Sequence, residues 1–150
     1  MSAPATNFWL ITGGVLSAIA ALMHIAIIIG GPDWYRFFGA GEAMAQAAEQ
    51  GRLMPTLVTL GIAAMLTIWA AYAFSGAGLI LRLPLLRTAL VIISTIYLLR
   101  ALAVVLLLLI PTEQSPAFWL WSSGIVLIYG LAYAIGTWQA WPELSQLDMK

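Results

Sequence analysis

Cysteine is absent from these 150 residues, histidine occurs once, and charge of either sign is scarce at 8% of positions. Each shortage excludes a chemistry. Without cysteine there are no disulfides, thiol nucleophiles, iron-sulfur clusters or zinc-thiolate sites. One histidine cannot build a histidine-based metal cluster, so neither a metal nor another cofactor is expected. Six basic and six acidic side chains leave a formal net charge of zero, which provides no basic face for nucleic acid and no polybasic segment for anionic headgroups. The G-x-S-x-G, P-loop, H-E-x-x-H and paired-cysteine patterns are missing too, and Gly39, Ala40 and Gly41 lack the preceding strand that a dinucleotide-binding turn requires. A hydrolase triad would have to draw on His24 and a buried serine such as Ser123, with no orienting acid evident.

What the chain does have is apolar surface. Hydrophobic residues make up 63% of it, and charge falls far below the roughly 25% typical of soluble domains. A bilayer removes the need to hide that surface, because lipid tails are as apolar as leucine. A spanning helix takes about 20 apolar residues, and four segments meet that length: Phe8 to Ile29, Leu53 to Phe74, Pro84 to Ile110 and Ala117 to Trp141. The fold expected is therefore all-α and membrane-integral: an antiparallel four-transmembrane-helix bundle, residues 1–150 forming a single transmembrane domain. The first seven residues carry no Lys or Arg, so the first segment reads as a retained helix rather than a cleaved signal.

Punctuation supports these spans. Gly30, Gly31 and Pro32 follow the first, Gly51 precedes the second, Pro84 and Pro116 suit first helical turns, and Pro111 and Pro142 stand just past helix ends. Trp9, Trp69, Tyr72, Trp138 and Trp141 mark one interfacial belt, and Trp34, Tyr35, Trp119 and Trp121 the other. The second connection holds Arg82 and Arg87 without an acid, whereas the opposite side mixes Arg36 and Arg52 with Asp33, Glu42, Glu49 and Glu113, so the positive-inside rule places both termini in the cytoplasm. The first connection, Gly31 to Arg52, is long for so minimal a design. Its run EAMAQAAEQ is rich in helix formers and ends at Gly51, which predicts a short helix, and the aromatic cluster ahead of it suits the headgroup layer. This segment is expected to cover the outer mouth of the bundle.

Five side chains are candidates for binding a ligand. Arg100 lies about ten residues inside the outer end of the third span, on the order of 15 Å deep. A guanidinium there costs from ~3 to more than ~10 kcal/mol unless it finds a partner or reaches water. Two readings stay open for it, a snorkelling or structural ion pair and a ligand anchor. His24 shares a helical face with Gly13, Ser17 and Ala21 and should point inward, either as a packing histidine or as a proton carrier or ligand contact. Glu42, with Asp33 as second choice, is the expected counter-charge to Arg100, against a reading as a solvated acid; Glu49 and Glu113 are taken as solvated. Tyr97 shares the face of Arg100, and Tyr129 lines one face of the fourth helix with Tyr133. A small and weakly polar stripe, Thr56, Thr59, Ala63, Thr67 and Ala70, runs along the second helix.

Four short-looped helices in a chain of this length resemble, in layout, the small bacterial membrane proteins of the DoxX-like families. The phrases HIAIIIGGPDWYRFFGAGE, His24 to Glu42, and LPLLRTALVIISTIYLLRAL, Leu83 to Leu102, are similar to stretches of small proteobacterial membrane proteins without an established activity. The resemblance implies a bacterial inner-membrane location and no particular function. The residues themselves suggest binding, or helping to move, an amphipathic or anionic small molecule of lipid, quinone or fatty acid type in an outer-half pocket, without catalysis. The alternative is a structural or assembly subunit, functioning through a homo-oligomer or a membrane-protein partner.

Overall fold

The computed structural model describes residues 6–112 and 114–147. Every regular element among them is helical: α1 (Phe8–Gly30), α2 (Pro32–Phe37), α3 (Glu42–Glu49), α4 (Met54–Gly76), α5 (Leu86–Leu102), α6 (Val104–Leu107) and α7 (Pro116–Leu147). Four stretches, Phe8–Gly30, Met54–Gly76, Leu86–Leu107 and Pro116–Ser145, are long and apolar enough to cross a membrane. An integral membrane protein is the class these helices define.

Three features of the spans differ from the sequence expectation. Leu85 takes a left-handed conformation at φ 52°, so the third span begins after the proline and not on it. That span is then interrupted at Ala103, whose φ of −58° and ψ of −19° keep the chain right-handed while the hydrogen-bond ladder tightens. The fourth helix runs through Pro142. Proline removes one backbone donor and crowds the preceding turn, a change worth roughly 3 kcal/mol in a helix interior. Tertiary contacts offset it: Arg82 Nη2 reaches the Leu144 carbonyl at 3.4 Å and the Arg87 guanidinium lies 4.2 Å above the Trp141 ring.

The helices pack chiefly as α1 on α4 and α5 on α7, with α1 also against α7. Close approach depends on glycine. A Cβ on Gly136 would stand 2.8 Å from the Leu10 backbone nitrogen, and one on Gly13 would stand 2.8 Å from the Tyr133 ring. Such contacts let membrane helices gain dispersion energy where burial from water gives none. Asn7 locks the same seam, its side chain accepting from Leu10 N at 3.1 Å while its Nδ2 donates to the Gly136 carbonyl at 2.8 Å. Gly13, Ser17 and Ala21 are buried as the small-residue stripe implied; on α4 Thr59, Ala63 and Ala70 are buried, while Thr67 is exposed and bonds back to Ala63.

At the end of the molecule opposite the chain termini, α2 and α3 form a cap. Its core is Ile27, Tyr35 and Ala45, with Phe38, Met44 and Ala48 against them. Gly39 permits the cap to sit on α7: φ is 76°, and a Cβ would fall 2.1 Å from the Phe118 ring. At the terminal end, residues of α1, α4, α7 and the 77–85 turn surround an open cleft of about 600 Å³. Ser75 organises that turn by donating to Leu81 O at 3.0 Å and accepting from Leu83 N at 2.9 Å.

Candidate functional site

Polar side chains inside the helices fall into two environments. The first is a closed chain of hydroxyls. Ser17 Oγ lies 2.9 Å from both Tyr97 and Tyr133 hydroxyls, and Tyr133 donates to the Trp69 carbonyl at 3.0 Å. A carbonyl only accepts, so the single proton of Tyr133 is committed there. Ser17 must then donate to Tyr133, and Tyr97 to Ser17. The order is forced from one end. Aromatic edges complete the shell, with Tyr97 4.9 Å from Trp69 and 5.5 Å from both Tyr129 and Tyr133. Trp69 is partly buried and packs against this core.

The second environment surrounds Arg100. Arg100 lies seven residues, about 10 Å along the helix, before Leu107, where the apolar helical stretch ends. The half-buried side chain reaches toward the first turns of α7. Nη1 donates to Ser123 Oγ at 3.4 Å, near the limit for a hydrogen bond, and the guanidinium carbon lies 5.5 Å from the Trp119 ring centroid, within cation-π range. Among the described residues no carboxylate pairs with it. Trp119 in turn packs at 5.5 Å on Phe118, the residue under Gly39 of the cap.

The expected counter-charge is engaged elsewhere. Glu42 receives Arg36 Nε at 2.9 Å and Nη2 at 2.8 Å, and Arg36 also pairs with Glu49 at 2.8 Å and Asp33 at 3.5 Å. The turn through Gly39 and Gly41, both at positive φ, brings α2 and α3 face to face and delivers these acids to Arg36 instead of Arg100. The hydrogen bonds donated by Arg36 hold the Glu42 carboxyl below its ordinary value, and those it gives to Glu42 and then to Glu49 raise Arg36 above its own. Glu49 is thus an ion-pair partner and not a merely solvated acid. Glu113 lies outside the described residues.

The remaining candidates separate. His24 Nδ1–H donates to the Ala20 carbonyl at 2.7 Å, leaving Nε2 as the ring's acceptor when neutral. Arg100 is engaged by Ser123 and Trp119, and His24 by the Ala20 carbonyl, so the sequence candidates do not gather at one point. Tyr97 and Tyr129 touch through their rings alone. Sequence reading overlooked the Trp119 and Ser123 partnership, although their spacing of four on one helix was available as a signal.

Compared with protein-family models, curated proteins and solved structures, the chain matches none.

Proposed function

We propose that this protein binds, or helps to move, an amphipathic molecule with an anionic headgroup, of phospholipid or fatty acid type, at Arg100. In this reading the helices form an antiparallel four-helix bundle in a bacterial inner membrane, both termini are cytoplasmic, and α2 and α3 lie in the outer interface above the site. One observation supports it most directly. A guanidinium carries five N–H donors, and Arg100 spends one of them on a single long hydrogen bond while the nearby acids converge on Arg36. A phosphate or carboxylate entering sideways from the bilayer supplies the missing acceptors in a setting where charge-assisted bonds are strong. Trp119 and Ser123 hold the guanidinium from the α7 side. A quinone, lacking the charge, answers this arrangement less well.

The test is native mass spectrometry of the purified chain in mixed micelles containing phosphatidylglycerol or oleate. Arg100→Ala should weaken retention of the anionic amphipath by about tenfold or more, from the ~1.5–3 kcal/mol of a hydrogen bond to a charged group, while Arg100→Lys keeps part of it. Unchanged retention in a folded Arg100→Ala protein refutes the reading.

A further inference from the structure

The Arg100 arrangement has a counterpart at the other end of the same helix pair. Arg87, in the first turn of α5, places its guanidinium 4.2 Å above the Trp141 ring and its Nη1 3.4 Å from Ser145 Oγ. Arg100 relates to Trp119 and Ser123 in the same way, with the same 3.4 Å separation. In both cases α5 contributes the arginine, and α7 contributes a tryptophan with a serine four residues later. The chain thus builds one motif twice, once toward each surface of the membrane. Arg87 makes further contacts as well, so a bound anion would add to its partners.

Directly beneath the second motif the surface is hollow. A groove of about 550 Å³ between α5 and α7 is lined by Val91, Ser94, Thr95 and Leu98 on one side and Ala134, Thr137, Trp138 and Trp141 on the other. Its size falls within the roughly 300–1,000 Å³ of small-molecule sites. Trp141 belongs both to the groove and to the arginine stack, so the apolar channel runs up to a cation at the headgroup level. The flank is open to lipid, Trp138 being 76% exposed. Thr137, by contrast, is only 4% exposed and its hydroxyl has no hydrogen-bond partner in the protein. A buried helical threonine ordinarily returns that hydroxyl to the carbonyl one turn back. Glu143, the described acid at this end, lines the neighbouring terminal cleft and not this groove.

From these observations we infer a second lipid site, independent of the one at Arg100: the α5–α7 groove holds an acyl chain of an anionic glycerophospholipid from the leaflet on the terminal side, with its phosphate at Arg87. Arg82 on the adjoining turn adds positive charge at the same level. The ester carbonyl, just below the phosphate, provides the acceptor that Thr137 lacks once its side chain rotates toward the groove. The apolar lining takes the chain, and the arginine selects the head.

Native mass spectrometry of the full chain, titrated with phosphatidylglycerol or phosphatidylcholine in mixed micelles, tests the assignment. The wild type should retain phosphatidylglycerol in preference to phosphatidylcholine. In an Arg100→Ala background, which removes the other anionic site, Val91→Trp, which fills the groove from its lipid-exposed wall, and Arg87→Gln should each reduce phosphatidylglycerol retention by about tenfold. Arg100→Ala should leave this component in place, which separates failure here from failure of the Arg100 site. The Val91 side chain makes no polar contact, so Val91→Trp decides the matter if Arg87→Gln does not fold. Undiminished phosphatidylglycerol binding by Val91→Trp, or equal retention of the two lipids by the wild type, overturns the proposal.

Discussion

The hydroxyl chain in the middle of the protein and the arginine nearer its cap solve the same problem, a polar group among apolar helices, in opposite ways. Around Ser17, Tyr97 and Tyr133 each hydroxyl proton has an acceptor, ending on the Trp69 carbonyl. Around Arg100 one long bond and one ring contact leave most donors open. Buried polar groups that close upon each other stabilise a particular packing, whereas a partly exposed group with open donors keeps capacity for something else. Position in a membrane span is therefore a poor guide to function by itself; hydrogen-bond accounting separates the two regions.

The comparison can be broken most severely at Tyr133, which is fully buried and touches Gly13. Tyr133→Ala should cost about 3–5 kcal/mol, the range for truncating a large core aromatic, read from thermal unfolding in detergent. Arg100→Ala should shift that same unfolding little while weakening lipid retention; a collapse comparable to Tyr133→Ala would make both regions structural. The forced proton order gives a finer test. Tyr133→Phe strands the Ser17 proton and should cost about 1–3 kcal/mol, whereas Tyr97→Phe leaves only a lone pair on Ser17 and should cost less. Equal losses would mean that the chain does not run in the stated direction. The smallest effect belongs to the cap. Because the folded-state pKa of Glu42 lies below its ordinary value, its pairing with Arg36 contributes stability above the ordinary carboxylate range and loses it as pH falls through the lowered value. Amide exchange in residues 32–49 should accelerate at about pH 3 relative to pH 7 beyond the intrinsic rate change; equal protection would show that the apolar contacts of Tyr35 and Ala45 suffice. These exposed pairs are weak in water, which is why this prediction comes last.

Much of the architecture was legible because hydropathy reports directly on solvent. The four spans, and a helix in the first connection, follow from apolar runs and helix-forming composition. The passage of α7 through Pro142 and the packing of Trp69 against Tyr97 were not legible, since each depends on a neighbour distant in sequence. Arg100 was identifiable as an anomaly, but its partners were not: an arginine and six acids in one chain allow many pairings, and only the fold of the Gly39 to Gly41 turn assigns Glu42 and Glu49 to Arg36.

By itself the amino-acid sequence determined that this chain lives among lipid tails, how many times it can cross them, and that a lone intramembrane arginine must be accounted for. Tertiary structure alone decided which polar groups satisfy one another and which stay open, and it placed two arginines of α5 over two tryptophans of α7. Burial is a property each residue carries in its composition, whereas a hydrogen bond or a charge stack exists only when two distant positions arrive at the same point with matching geometry.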